Sequence, residues 1–176
     1  MTRAAGKGRE RTEPEPMTSP SDDEIDRNLA ALFHLTQLDE DGRLFLSAVI
    51  TDWHPLLERG IDTIIDLEGG LDHDVPTKAD KILYIYLPIE DGQLPDLDRL
   101  HAVSKLGAEL MQRGDRVLVH CGMGMNRSAL VAALILMYGS DMDGPAAIAR
   151  IRERRPGALF NSVFEEYLLK GLVRTT

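Results

Sequence analysis

The stretch of sequence that most constrains the fold reads VLVHCGMGMNRS, residues 117–128. Its first four residues, ending at His120, form a short apolar run typical of a buried strand. The middle holds two glycines and no charged side chain, and the end runs into the apolar segment 129–138. That segment is too long and too uniformly apolar for another strand, so it predicts a buried helix. The stretch is therefore a strand, a loop and a helix, with Cys121 and Arg127 facing one loop.

Strands and helices alternate on both sides of this unit. We predict strands at Thr36–Leu38, Arg43–Val49, Ile61–Leu67 and Ile82–Leu87, and helices at Asp52–Arg59, Pro95–Arg113, Pro145–Arg155 and Ser162–Val173. The first two strands flank the turn signal Asp41-Gly42 and should form a hairpin. The long helix is expected to bury Leu97, Leu100, Val103, Leu106 and Leu110. This alternation indicates an α/β fold, a single layered domain with a mostly parallel central sheet flanked by helices.

Length and composition restrict the class of protein. The chain has 176 residues and a net charge of −9, with 43% hydrophobic residues. This predicts one globular domain, and the acidic balance argues against a nucleic-acid-binding protein, which needs a basic excess. The longest apolar run is about half of what a membrane-spanning helix requires, and no apolar stretch follows the basic N-terminus, so we expect a cytoplasmic protein without membrane insertion.

The N-terminal residues differ from the rest. Residues 1–24 contain no Val, Ile, Leu, Phe, Tyr or Trp, and three prolines interrupt their charges. We predict a disordered tail over 1–24 and a folded domain over 25–176, opening on a helical stripe of Ile25, Leu29, Leu32 and Phe33. The single cysteine can form neither an internal disulfide nor a zinc cluster with other cysteines.

The loop from Cys121 to Arg127 has the features of an anion-binding cradle. In α/β sheets ligands sit at the carboxyl ends of strands, and a loop entering a helix N-terminus presents backbone N–H groups to an anion. The glycines let the backbone of Gly122, Met123, Gly124, Met125 and Asn126 approach a ligand closely, while the Arg127 guanidinium can hold two phosphate oxygens. The same positive field favours the thiolate form of Cys121.

These residues resemble a known family. His120-Cys121, five residues, Arg127 and Ser128 reproduce the HCxxxxxR(S/T) signature of the protein tyrosine phosphatase superfamily, and Gly124 stands where its small dual-specificity members have their loop glycine. The resemblance covers about residues 36–170. Its C-terminal part is the "RP…N..F..L" pattern of Arg155-Pro156, Asn161, Phe164 and Leu168. Ser47 departs from the pattern, because the family usually has glycine after its opening strand.

The resemblance implies a mechanism and assigns its residues. Cys121 would be the nucleophile, Arg127 and the loop amides of residues 122–126 would hold the phosphate, and Ser128 would assist the thiolate. His120 would orient the loop. The family's general acid is an aspartate about 30 residues before the cysteine, which matches Asp91, with Glu90 as the rival carboxylate. The implied activity needs no metal or organic cofactor and acts on phosphotyrosine and phosphoserine or phosphothreonine of proteins through a phosphocysteine.

Other interpretations stay open at this point. The same chemistry could act on a phosphoinositide or on an RNA 5′-triphosphate; Asn126-Arg127 resembles the "NR" of capping-type RNA triphosphatases, although the loop lacks the lysines of lipid phosphatases. A pseudophosphatase scaffold is a third possibility, whereas a sulfurtransferase of the rhodanese type would have one residue fewer between Cys and Arg.

Two further groups of residues are of types that could carry chemistry, but we expect both to have structural roles or to lie on the surface. Asp72-His73-Asp74 has a metal-like composition, yet we interpret it as a polar surface turn, because three adjacent residues rarely converge on one ion. His34, His54 and His101 are expected to be structural or surface histidines.

Overall fold

The computed structural model describes residues 35–172. The predicted tail over 1–24, the helical stripe over 25–33 and His34 lie outside the described residues. The elements in chain order are β1 (Thr36–Gln37), β2 (Leu44–Ser47), α1 (His54–Glu58), β3 (Thr63–Asp66), β4 (Leu83–Tyr86), α2 (Leu97–Arg113), β5 (Val117–His120), α3 (Arg127–Gly139), α4 (Gly144–Arg154) and α5 (Ser162–Leu169). They confirm the α/β layout predicted from the alternating pattern.

The sheet has five strands in the order β1-β2-β5-β3-β4. Strands β2, β5, β3 and β4 run parallel, and only β1 pairs antiparallel, with β2, as the hairpin prediction requires. Strand β5 is central, and its last residue, His120, lies in register between Ser47 of β2 and Asp66 of β3. The parallel direction brings the carboxyl ends of four strands to one edge, where the loop after β5 begins.

Helix α3 forms the middle of the core. Every residue from Ser128 to Met137 is buried, as expected from its uniformly apolar sequence. Helix α2 packs closely against it through Gly107, where an added Cβ would lie 2.7 Å from Cδ1 of Ile135. A glycine at the crossing therefore lets the two helices approach.

The predicted inner face of α2 is partly wrong. Leu97 and Leu106 are 40% and 39% exposed. Leu100 and Leu110 are buried as predicted and Val103 is partly buried, and the rest of the buried face is formed by Ser104, Gly107 and Ala108. Because α2 lies so close to α3, small side chains occupy the contact, and the buried face of α2 therefore differs from the predicted one.

Element ends lie within four residues of the predicted positions, as is usual at frayed ends, and some coincide with them. Helix α1 begins at His54, and Asp52 accepts a hydrogen bond from its backbone N–H at 2.9 Å. Gly60 follows α1 with φ +69°, a left-handed conformation that ends the helix. Helix α5 ends at Leu169, short of the predicted Val173, which lies outside the described residues. Within residues 35–172 no helix is long and apolar enough to cross a membrane.

Candidate active site

The loop between β5 and α3 is folded tightly around the thiol. Cys121 is 2% exposed, and its Sγ lies 3.3 Å from Oγ of Ser128 in the first turn of α3. Gly124 has φ +64°, and a Cβ there would lie 2.4 Å from the backbone oxygen of Ser47. The close approach of the loop to β2 therefore requires glycine at position 124.

Three contacts from other parts of the chain hold the loop backbone in place. The N–H of Val49 donates to the Gly122 carbonyl at 3.3 Å, and the N–H of Leu159 donates to the Met125 carbonyl at 2.8 Å. Nη2 of the buried Arg155 donates to the carbonyl of Met123 at 3.1 Å. Burial lowers the pKa of Arg155, although the nearby charge of Cys121 opposes this shift. These contacts engage three carbonyls of the loop. The Gly122 N–H, in contrast, lies against the Glu68 carboxylate and helps to lower the pKa of Glu68.

Arg127 is fixed at one edge of its guanidinium. Nη1 donates to the carbonyls of Ile89 at 3.2 Å and Leu67 at 3.4 Å, and Nη2 donates to Oε2 of Glu68 at 2.8 Å. Its Nε is buried and has no hydrogen-bond partner among the described residues. The opposite edge of the planar group, made of Nε–H and the second Nη2 hydrogen, is therefore free to bind an anion.

Neighbouring groups stabilise the positive charge of Arg127. Burial alone would lower the pKa of Arg127, but the hydrogen bond to Glu68 and the charges of Cys121 and Asp91 raise it above its usual value. Burial acts to raise the pKa of Glu68, but the hydrogen bond and charge of Arg127, together with the backbone N–H groups of Gly69 and Gly122, lower that pKa below its usual value. Glu68 was not predicted from the sequence, where its only signal is its position two residues after the end of β3.

Asp91 lies beside the loop, as the resemblance implies. Its Oδ2 accepts from Nδ2 of Asn126 at 2.9 Å, and its Oδ1 accepts from Nδ2 of Asn161 at 2.9 Å. The rival Glu90 is exposed, and its Oε2 contacts Nε2 of Gln93 at 3.4 Å instead. The structure therefore brings Asp91 to the loop that holds Cys121.

His120 belongs to a buried polar cluster behind the loop. Its Nε2 lies 3.0 Å from Oδ2 of Asp72 and 3.5 Å from Oδ1 of Asp66, and neither contact has the direction of a hydrogen bond. The Tyr84 hydroxyl lies 2.5 Å from Oδ2 of Asp66 and 3.0 Å from Oδ2 of Asp72. Burial raises the pKa of Asp66. The imidazole is thus enclosed by two carboxylates at the carboxyl edge of the sheet.

The interpretation of Asp72-His73-Asp74 as a surface turn is wrong for its first residue. The Asp72 side chain is only 3% exposed. His73 and Asp74 are exposed, in agreement with a turn, and the His73 carbonyl accepts from Nε1 of Trp53 at 2.8 Å. The Asp72 side chain is buried because the sheet, and not the local sequence, brings it to His120 and Tyr84.

Among residues 35–172, one trio has the spacing that a metal ion needs. Ligand atoms of Asp66, Asp72 and His120 all lie within 4.8 Å of one another. Three of the four carboxylate oxygens are already engaged, however, because Oδ1 of Asp66 accepts from the Glu68 N–H at 2.9 Å and Oδ2 of Asp66 and Oδ2 of Asp72 contact the Tyr84 hydroxyl. These contacts account for the trio as a structural support for His120, so we derive no metal chemistry from it.

The remaining described histidines have structural surroundings, as predicted. His101 bonds to the Tyr138 hydroxyl at 2.7 Å and to the Tyr167 hydroxyl at 2.5 Å. Burial, helped by the charge of Lys105, lowers the pKa of His101. His54 is exposed and lies 3.6 Å from Glu58 on the same helix.

Comparisons with known proteins show what this chain is similar to. Residues 45–171 match the family described as "Dual specificity phosphatase, catalytic domain". Cyclin-dependent kinase inhibitor 3 of Rattus norvegicus is 34% identical over 77 residues, 43% of this chain and 36% of that protein. Tyrosine-protein phosphatase yvh1 of Schizosaccharomyces pombe is 24% identical over 152 residues, 82% of this chain and 45% of that protein. The chain thus spans less than half the length of these curated relatives.

The fold also matches solved structures. One of them, described as Tk-PTP in the active form, superimposes with a TM-score of 0.62 at 25% identity and covers 77% of this chain and 93% of its own. The matched family region begins within β2 and continues beyond α5, so it contains every residue of the site described above.

Proposed function

The chain belongs to the dual specificity phosphatase family, and we propose that it hydrolyses phosphate monoesters on protein side chains. One observation carries the proposal. The Cys121 thiol, the free edge of the Arg127 guanidinium and the Asp91 carboxylate surround a single loop. A nucleophile, an anion-binding group and a proton donor are the three components that phosphoryl transfer to a cysteine needs.

In the first step the Cys121 thiolate attacks phosphorus and the bond from phosphorus to the ester oxygen breaks. Arg127 and the N–H groups of residues 122–126 hold the three equatorial oxygens, whose charge is spread in the transition state. Asp91 gives its proton to the leaving oxygen, since an alkoxide or phenoxide leaves poorly without an acid. The products of this step are the free alcohol or phenol and a phosphocysteine.

In the second step water hydrolyses the phosphocysteine. The Asp91 carboxylate accepts a proton from the attacking water, and the sulfur leaves as a thiolate. The Ser128 hydroxyl lies 3.3 Å from Sγ and can donate a hydrogen bond to that developing charge. His120 supports the loop from behind, through the carboxylates of Asp66 and Asp72.

Two features favour a protein phosphomonoester as substrate: the loop has no charged residue between Cys121 and Arg127, and the Asn126 side chain is hydrogen-bonded within the protein. The residues between Cys121 and Arg127 carry no charge, so the loop matches the charge of one phosphate monoester better than that of a polyphosphorylated lipid. The Asn126 side chain, which resembles the RNA triphosphatase pattern, is engaged by Asp91 and by the N–H of Asn161. This internal role accounts for Asn126 without an RNA ligand.

The deciding experiment compares four substrates under one set of conditions: a phosphotyrosine peptide, a phosphothreonine peptide, a phosphoinositide and an RNA 5′-triphosphate. We expect the highest kcat/KM on the phosphopeptides, unchanged by a metal chelator. Cys121→Ser should abolish turnover and still bind vanadate, because the serine hydroxyl is not ionised at neutral pH. Higher kcat/KM on the lipid or the RNA would overturn the substrate assignment, and near-normal turnover by Cys121→Ser would overturn the mechanism.

The acid is tested with a matched pair of variants. Asp91→Asn should lower kcat about 10² to 10⁴-fold on a substrate with a poor leaving group, and less on an activated aryl phosphate. Glu90→Gln, on the neighbouring carboxylate, should change kcat little. If Glu90→Gln is the damaging change, the acid is Glu90.

A further inference from the structure

The two oxygens of Asp91 are both held by side-chain amides. Nδ2 of Asn126 donates to Oδ2 and Nδ2 of Asn161 donates to Oδ1, each at 2.9 Å. The two asparagines are also joined, since the backbone N–H of Asn161 donates to Oδ1 of Asn126 at 3.1 Å. Asp91, Asn126 and Asn161 therefore form a closed ring of hydrogen bonds, which we call the acid clamp.

The orientation of each amide in the acid clamp is determined by its other contacts. Oδ1 of Asn126 faces an N–H donor, so its NH₂ group must face Asp91. Oδ1 of Asn161 accepts from the N–H groups of Val163 at 3.0 Å and Phe164 at 3.4 Å and caps α5. Neither amide can rotate by half a turn without losing these bonds, so both present donors to the carboxylate.

Apart from these two bonds, Asp91 stands on an exposed segment of the chain. Its side chain is exposed, and the next residue, Gly92, has φ +129° with no atom near the position of a Cβ. Asn126 is buried and directly precedes Arg127, whereas Asn161 begins α5 on the other side of the loop. The acid clamp thus ties an exposed acid to both the phosphate-binding loop and a helix.

From this geometry we infer that Asn126 and Asn161 are positioning residues for the proton transfer by Asp91, an inference that rests on the proposed function. Each carboxyl oxygen has two lone pairs, and each amide uses one. The second position on an oxygen can carry the proton for the leaving group. Holding that oxygen in place matters most when the leaving group depends on the acid, and little when it leaves unaided.

The test uses Asn161→Ser, because serine also caps helices but is too short to reach Asp91. Asp143→Ser is the matched control, since Asp143 caps α4 in the same way, by accepting from Ala146 N–H at 2.9 Å, and lies outside the acid clamp. We measure kcat and KM for phenyl phosphate, a poor leaving group, and para-nitrophenyl phosphate, a good one. Asn161→Ser should lower kcat about tenfold on the first and less than twofold on the second, with KM unchanged. Asp143→Ser should change neither.

A double variant separates positioning from general damage. If Asn161 acts through the acid, adding Asn161→Ser to Asp91→Asn should lower kcat no further. Equal losses on both substrates, a further loss in the double variant, or no effect of Asn161→Ser beside a large effect of Asp91→Asn would each overturn the inference. If Asp91→Asn itself leaves both substrates unaffected, the acid assignment of the proposed function fails instead.

Discussion

Replacing Arg127 by lysine tests the geometry of the anion site most directly, because the substitution keeps the positive charge and removes the planar fork. In the structure Arg127 uses one edge for the carbonyls of Leu67 and Ile89 and for Glu68. Its other edge, with the unpartnered Nε, faces no acceptor among residues 35–172. A lysine has one nitrogen at the end of a flexible stem and cannot serve both edges.

The magnitude follows from the contacts that are lost. Two charge-assisted hydrogen bonds to the phosphate disappear, at about 1.5–3 kcal/mol each. Their sum, about 3–6 kcal/mol, corresponds to a decrease of about 10² to 10⁴ in kcat/KM. Since Arg127 is expected to bind the equatorial oxygens of the transition state more tightly than those of the bound ester, most of the loss should appear in kcat.

The assay is steady-state hydrolysis of para-nitrophenyl phosphate, with vanadate binding as a second measurement and thermal unfolding as a check that the variant is folded. Arg150→Lys is the control, because Arg150 makes only long contacts, to Glu40 at 3.8 Å and Glu153 at 3.5 Å. A folded Arg127→Lys variant whose kcat/KM stays within fivefold of wild type would refute the assignment of the free guanidinium edge to phosphate.

Three further predictions concern the same loop. The lowered pKa of Glu68 means that its pair with Arg127 stabilises the fold above the ordinary value of 4.5 and loses that contribution as pH falls through the folded-state value. Wild type should therefore have a higher urea midpoint than Glu68→Gln at pH 7, and this difference should disappear below pH 4.5. A difference that does not depend on pH would contradict the pairing. Gly124→Ala should lower both turnover and melting temperature, because its Cβ would meet the Ser47 carbonyl at 2.4 Å. Gly114→Ala is the control, because Gly114 has φ +105° and no atom within 4 Å of its Cβ position, so this variant should lose only the stability that corresponds to backbone strain. Equal losses of melting temperature in the two variants would argue against a steric clash at position 124. Peroxide should inactivate the enzyme rapidly by oxidising Cys121, more slowly with bound phosphate, and without any intramolecular disulfide, since the chain has one cysteine. Intact-protein mass after peroxide decides this, and an unmodified thiol would contradict thiolate activation.

Much of the fold was predictable from local patterns. Strand β5 was predicted with its observed bounds, Val117–His120, because a short apolar run between turn residues has few other solutions. Helix α3 and the hairpin of β1 and β2 were predicted for similar reasons, a uniformly apolar segment and a strong turn signal. The inner face of α2 was not, because whether Leu106 or Gly107 faces the core depends on how near α3 lies.

In the candidate site, too, the local features were predictable from the sequence and the long-range contacts were not. By itself the sequence determined the cradle, because its cysteine, glycines and arginine lie within seven residues and their chemistry depends on a strand, a loop and a helix N-terminus that form locally. Only the tertiary structure decided which residues meet it. Glu68 is 59 residues from Arg127, Asp91 is 35 from Asn126 and 70 from Asn161, and Asp72 reaches His120 across the sheet. Such pairs form because parallel crossovers bring the carboxyl ends of separate strands to one edge, and the spacing of residues along the chain carries no record of which side chains will then lie within hydrogen-bond distance.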